Sequence, residues 1–159
     1  MVAHSKTNAM RILEQKNIWY NMNTYDSKDG KIDGISVAEK IGKDPATVYK
    51  TLVCQGSSGN YYVFVIPVAE ELDLKKAARA ADEKKVEMIA VRDIQKVTGY
   101  IRGGCSPVGM KKEYRTFMDS SAESLENIIV SGGRIGTQIE LEVEEFRKAV
   151  KAEFHDLIK

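Results

Sequence analysis

The 159 residues hold only two cysteines and two histidines. Cys54 and Cys105 are too few and too far apart to form a disulfide framework. His4 and His155 stand near opposite ends, so no Cys/His spacing suited to a metal ligand set arises. The same scarcity weighs against a Ser-His-Asp triad or a Cys-His pair, since either needs one of those histidines. No apolar run approaches the ~20 residues of a membrane span. Met1 to Lys6 lacks the apolar stretch of a secretory leader. An excess of one charge is missing too: 24 Lys and Arg face 23 Asp and Glu, a formal net charge of +1. That balance excludes a general pull towards nucleic acid or membrane, so any basic surface must be local. There is no dinucleotide fingerprint. Gly104 to Gly109 has the spacing of a phosphate-binding loop, but Met110 stands where that loop needs lysine. Gly133-Arg134-Ile135-Gly136 matches a KH-type GxxG, but here it would join two strands rather than two helices. The expectation is one domain over residues 1–159, cytoplasmic, with no cofactor and no metal.

What is present is an ordinary globular mixture, 43% hydrophobic and 30% charged. Residues 6–16 read as a helix capped by Ser5 or Thr7. Ile18 to Tyr25 reads as a strand, and the loop to Gly34 carries Asp-Gly twice. Ser36-Val37-Ala38-Glu39 is a capping box, and Gly42 stops the short helix it opens. Asp44-Pro45 marks a second helix start. Val48–Gln55 and Asn60–Val68, joined by Gly56-Ser57-Ser58-Gly59, form the clearest hairpin. Asp73 caps a helix through Ala81. A strand over 86–89, a helix over 91–97 and a strand over 114–118 follow. Strands at 127–131 and 137–143 flank a glycine turn at 132–136. Residues 144–151 form a helix with acids first and bases last, as its dipole favours. Residues 154–158 are a helix turn or an edge strand. Hairpins without strict β-α alternation predict an α/β fold with a mixed sheet and helices packed round it.

Two features carry chemistry. The run 98–112 holds four glycines and a proline and ends in Lys111-Lys112. Such a loop can turn several N–H groups towards one anion or carbonyl oxygen, or it is a plain surface turn. Lys50 lies in the first hairpin strand, on the Val48 and Leu52 side. It is either a charged guard on a strand edge or an ammonium held over a cleft. Cys105 sits inside the glycine loop as a candidate nucleophile or a small buried hydrophobe. Basic residues cluster at Lys75-Lys76-Arg79, Lys84-Lys85 and Lys111-Lys112-Arg115. These are solvated helix faces or, gathered round one cleft, a track for a nucleic-acid backbone.

The run Thr98-Gly-Tyr-x-x-Gly-Gly-x-Ser-Pro-x-Gly-x-Lys-Lys112 resembles the signature of the YbaK/EbsC family. So do Val48-Tyr-Lys-Thr-Leu52, Leu72-Asp-Leu-Lys-Lys-Ala77, Lys84-Lys-Val-Glu-Met88 and Val130-Ser-Gly-Gly133, in order along nearly the whole chain, with Thr24-Tyr25-Asp26 near the start. The resemblance implies a compact, mixed-sheet, barrel-like domain similar to the editing domain of prolyl-tRNA synthetases. It implies a free-standing deacylase that clears Cys-tRNA(Pro), and Cys-tRNA(Cys) as well. The partners implied are the acceptor end of an aminoacylated tRNA and prolyl-tRNA synthetase. It places catalysis on Lys50, Tyr25, Gly103 and Gly104. Substrate binding falls on Cys105, Ser106, Pro107, Ser131, Gly132, Gly133 and Gln138. It further implies that the substrate's own thiol attacks its carbonyl and leaves as a thiolactone, a lyase-like outcome. Departures fall at Cys105, where the family commonly has Ile, at Met110, where it has Gln, at Gln138, and at Asp33-Gly34-Ile35-Ser36. Clearance of another small amino acid such as alanine, and a non-catalytic tRNA- or synthetase-binding role of EbsC type, remain as alternatives.

Overall fold

The computed structural model describes residues 6–159. Thr7 caps helix α1 (Asn8–Gln15), its hydroxyl accepting from the Met10 N–H at 3.2 Å. Ala9, Met10 and Leu13 form its buried face. Ser5, the other candidate cap, and His4 lie outside the described residues. Strand β1 (Asn21–Thr24) is shorter than the expected 18–25. The Ile18 N–H is still bonded to the Leu13 carbonyl at 2.9 Å, so residues 16–18 belong to the exit turn of α1.

Helix α2 (Gly34–Lys40) begins two residues before the expected capping box. Asp33 is the cap, and its carboxylate takes both the Ser36 N–H at 3.1 Å and the Ser36 hydroxyl at 2.7 Å. Ser36 is therefore held by a cap rather than acting as one. Asp44-Pro45 opens a single 3-10 turn over Pro45–Thr47, not an α-helix. Strands β2 (Tyr49–Gly56) and β3 (Tyr61–Pro67) form the expected hairpin, in register from Tyr49 opposite Pro67 to Gln55 opposite Tyr61. Asp73 caps α3 (Leu74–Ala81), with its carboxylate on the Lys75 and Lys76 N–H groups. Then come β4 (Val86–Met88), a 3-10 turn at 91–93, and α4 (Ile94–Thr98).

After the glycine loop lies β5 (Arg115–Asp119). Strand β6 (Asn127–Arg134) runs straight through Gly132 and Gly133, with a bulge between Ser131 and Arg134. Only Ile135 and Gly136 are left to turn into β7 (Thr137–Glu142). Helix α5 (Val143–Val150) precedes β8 (Glu153–His155), which settles the last segment as an edge strand parallel to β5.

The strands form two sheets, ordered β1-β7-β6 and β4-β2-β3-β5-β8. Among the described residues they meet through one parallel bridge, Val48 to Ile129. The mixed-sheet α/β architecture is the expected one, and the two sheets lie against each other without closing a barrel. β3 alternates cleanly. Val63 and Val65 enter the core shared with Ile128, Val130, Ile139, Leu141, α1 and α5. Tyr62, Phe64 and Ile66 face a second core under α3. With both faces covered, β3 reads as a continuous apolar run. A third, smaller cluster of Ala38, Val48, Val68 and Ile129 fixes α2 over the junction of the sheets. No helix among the described residues is long and apolar enough to cross a membrane.

Candidate active site

Beyond the Val48–Ile129 bridge, β2 and β6 part, and the gap is a pocket of ≈ 130 Å³. Val48 to Thr51 form one wall, Ser131 and Gln138 another, and Gly103 and Cys105 close a third side. Ile32, Gly34 and Val37 add an apolar patch, and Tyr25 stands beside them. The space suits a handful of waters or one small amino-acid side chain, not a whole nucleoside.

Lys50 is half-buried. Desolvation lowers its pKa, and the Glu71 and Glu70 carboxylates oppose that shift. Its ammonium has no hydrogen bond or ion pair among the described residues; Glu71 bonds instead to Lys159 at 3.0 Å. A cation partly stripped of water and not neutralised by a neighbour exerts a stronger field on an incoming oxygen.

Thr51 is a residue that the sequence did not flag. Its Oγ1 is enclosed and has no hydrogen-bond partner among the described residues. Leaving a hydroxyl in that state costs about 1–3 kcal/mol, which a bound polar group would recover. The main chain points the same way. β4 pairs with Cys54 to Gly56 and β6 meets the start of β2 at the Val48–Ile129 bridge, so the edge of β2 is open between them, at Thr51. The Val53 carbonyl reaches out from that edge to the Ile89 N–H at 3.1 Å. Alternation turns the Thr51 N–H and C=O outwards as well. Across the gap, Asn23, Gln138 and Ser131 stand directly opposite one another on β1, β7 and β6. They form a polar row, and the Asn23 amide nitrogen is likewise enclosed and unpartnered.

Tyr25 is placed by its neighbours. Its N–H donates to the Gly136 carbonyl at 3.0 Å, and the Lys40 ammonium lies 5.9 Å from its ring centroid. The same ammonium donates to the Asp26 carbonyl, the Asp29 carboxylate and the Lys31 carbonyl at 2.7, 2.7 and 2.9 Å. Lys40 is thus a positioning residue for Tyr25 and for the loop behind it. A lysine at the end of a short helix, 9 to 14 residues after the loop it holds, gives no sequence signal for such a role.

The glycine loop reaches the pocket only in part. Gly103 has φ +83°, and a Cβ there would meet Ile32 at 2.8 Å. A Cβ on Gly104 would lie 2.9 Å from the Arg134 Cα and 3.0 Å from the Ile135 nitrogen, so two backbones touch there. The Gly104 N–H is already given to the Ile101 carbonyl at 3.0 Å. It is therefore not free to hold an oxyanion, and Gly103 and Cys105 remain as the lining members of this loop. Ser106 is fully buried, and its hydroxyl accepts the Val108 N–H at 3.2 Å. Pro107 faces a different groove. Gly132 packs on Thr137 and Ile139, and Gly133 on Thr7 and Tyr100. The structure does not bring Gly104, Ser106, Pro107, Gly132 or Gly133 to the pocket; Gly104 against Arg134 and Ile135, and Gly133 against Tyr100, hold the two glycine-rich segments together. Cys105 does line the pocket, but burial pushes its thiol up to about 11, with a hydrogen bond involving Thr98 opposing the shift. At neutral pH it is a neutral thiol and a poor nucleophile.

Larger hollows lie elsewhere, among them one of ≈ 360 Å³ beside β4 and one of ≈ 480 Å³ between α1, α5 and the segment after Pro107. Neither contains Lys50, Tyr25 or Thr51. Convergence of unpartnered polar groups, rather than size, marks the smaller pocket.

A family model described as an aminoacyl-tRNA editing domain matches residues 33–149. The chain belongs to that family. Within it this editing domain falls in the YbaK/EbsC branch. It is 43% identical over 152 residues to EbsC of Enterococcus faecalis (strain ATCC 700802 / V583), covering 96% of this chain and 93% of that protein. That relative is named provisionally as a Cys-tRNA(Pro)/Cys-tRNA(Cys) deacylase. A 69-residue stretch is 33% identical to the proline–tRNA ligase of Brachyspira hyodysenteriae (strain ATCC 49526 / WA1), covering 43% of this chain and 12% of the ligase. Among solved structures, a trans-editing candidate for prolyl-tRNA synthetase superposes with TM-score 0.83 at 20% identity, over 98% of this editing domain and 99% of the other chain. The hypothetical protein APE2540 superposes with TM-score 0.87 at 20% identity, over 96% and 99%. At those identities the structural matches speak for the fold alone.

Proposed function

We propose that this editing domain is a deacylase that cleaves the ester between a small amino acid and the terminal ribose of a tRNA, with Cys-tRNA(Pro) as the main substrate and Cys-tRNA(Cys) as a second. The observation that carries the proposal is the meeting of Lys50, Thr51, Tyr25, Ser131, Gln138 and the Gly103–Cys105 segment round a pocket of ≈ 130 Å³. The amino acid enters the pocket and the adenosine stays outside it. Lys50 holds the carbonyl oxygen or the terminal phosphate. The Thr51 hydroxyl and main chain bind the aminoacyl group, and Tyr25 bonds the ribose or the amino group. Main-chain N–H groups of Gly103 and Cys105 stabilise the charge that develops on the carbonyl oxygen, each worth up to about 3 kcal/mol if well aimed.

Neutral Cys105 leaves no protein nucleophile beside the ester. The substrate's thiol supplies one. Its sulfur bonds to the carbonyl carbon, the carbon–ribose oxygen bond breaks, and the thiol proton ends on the ribose oxygen. A thiolactone and free tRNA are the products. An oxygen-rich, cation-bearing cleft needs no further group for that step, because the ester is already activated. Docking on prolyl-tRNA synthetase supplies selectivity for tRNA(Pro).

The test is deacylation of Cys-tRNA(Pro), Ala-tRNA(Pro) and Pro-tRNA(Pro) by the purified protein. Fast loss of the cysteinyl ester alone is the expected result. Faster loss of the alanyl ester would move the chain to alanine clearance. Retention of tRNA without release of any amino acid would make it a binding protein.

A further inference from the structure

The editing pocket takes only the end of a tRNA, so the remainder must lie on the surface. Three basic clusters stand out in the sequence, and the structure treats them differently. In the first, Lys76 is bonded to Asp156 at 2.9 Å and to the Ile158 carbonyl at 2.7 Å. In the second, Lys85 pairs with Glu87 at 2.9 Å. In the third, Lys111 closes on the Lys96 carbonyl at 3.2 Å, but Lys112 has no hydrogen bond or ion pair among the described residues.

Lys112 borders the ≈ 480 Å³ groove between α1, α5 and the segment after Pro107. Lys16, Arg115 and Lys151 border it too, against Glu113 as the sole carboxylate in its lining. The chain as a whole has a net charge of only +1, so this groove concentrates positive charge. Lys16 and Lys151 are the C-cap residues of α1 and α5, where helix dipoles favour cations. Dipoles do not account for Lys112 and Arg115, which lie on no helix. Like Lys112, Lys16 has no side-chain hydrogen bond or ion pair among the described residues. Lys151 meets Glu113 at 3.5 Å and Arg115 meets Glu153 at 3.1 Å, all on the surface. Exposed pairs of that kind are weak and exchange readily for phosphate.

The groove is continuous with the pocket along the chain. Gly103 and Cys105 line the pocket; Pro107, Gly109 and Lys112 line the groove. The seven-residue step from Cys105 to Lys112 spans at most about 25 Å. We infer that this groove seats the phosphate backbone of the tRNA duplex next to the aminoacylated end, with Lys112, Lys16 and Arg115 as its contacts. This inference rests on the deacylase reading for its choice of ligand.

The test uses the full chain, a Lys16→Glu/Lys112→Glu variant, and a Lys76→Glu/Lys85→Glu control. All four positions avoid the pocket, and Lys16 and Lys112 are exposed. The probe is deacylated tRNA(Pro), and its Kd is measured at about 50 and about 200 mM salt. The groove variant is expected to bind roughly tenfold or more weakly, with the slope of log K against log salt reduced by about 2, near one per lost phosphate contact. The control should stay within about twofold of wild type. In deacylation the groove variant should raise KM and keep kcat. Equal Kd and slope for the groove variant, equal weakening by the control, or no tRNA binding by wild type would each overturn the inference. Loss of binding to prolyl-tRNA synthetase with unchanged tRNA affinity would also overturn it, making the groove a protein-docking face. Weakened tRNA binding in a protein that hydrolyses no ester would uphold the groove and sink the deacylase reading.

Discussion

Thr51 bears a buried, unpartnered hydroxyl, which costs stability in the free protein. Thr51→Val keeps the shape and removes that cost. Its Tm should therefore stay level or rise, while kcat/KM for the cysteinyl ester falls about tenfold, the loss of one hydrogen bond of about 1.4 kcal/mol. Calorimetry and single-turnover assays on the same sample check both halves; a parallel fall in Tm and activity would mean a structural role. Cys105 makes the opposite point. Its pKa is raised from 9.0 to about 11, so the thiolate is scarce at neutral pH and grows only as pH climbs towards 11. Alkylation at Cys105, located by mass spectrometry, should follow that rise, and Cys105→Ser should turn over substrate at the wild-type rate. A titration near the ordinary thiol value, with lost turnover in Cys105→Ser, would restore it as a nucleophile. Lys50 was legible because a lysine between apolar neighbours on a strand demands an explanation. Thr51 was not, since strand alternation alone gives threonine an ordinary place, and only the open edge of β2 makes it unusual.

The elements whose borders moved did so through contacts that local pattern cannot weigh. Ser36 and Glu39 satisfy the rule for a capping box, yet Asp33 reaches Ser36 first and starts α2 earlier. Gly132 and Gly133 signal a turn, yet the pairing of β6 with β7 carries the strand through them. The glycines serve closeness rather than turning. The backbone of Gly104 lies against that of Arg134 and Ile135, which ties the loop to the β6–β7 turn. A methyl group there has no flexible side chain to push aside. Gly104→Ala should cost about 1–3 kcal/mol, a drop in Tm of roughly 2–12 °C for a chain of this size. Because Gly103 and Cys105 move with Gly104, kcat should fall as well. An unchanged Tm would show that the contact is looser than the structure has it.

For the whole molecule, the mixed sheet, the hairpin and the helix order were readable from periodicity and turns. The division into two sheets was not. It depends on which strand pairs with which across long separations, and β5 with β8 and Val48 with Ile129 are parallel contacts that no turn announces. That division creates the site, since the pocket is the space left where the sheets diverge past a single bridge. The proposed cleavage turns on Lys50, which lines that divergence and would hold the carbonyl oxygen of the ester or the adjacent terminal phosphate. Single-turnover loss of the cysteinyl ester from Cys-tRNA(Pro), saturated with wild type or with Lys50→Ala, tests that role most directly. A fall of about 100-fold or more in the rate constant, with tRNA still bound, is the expected result. Equal rate constants for the two proteins would contradict it.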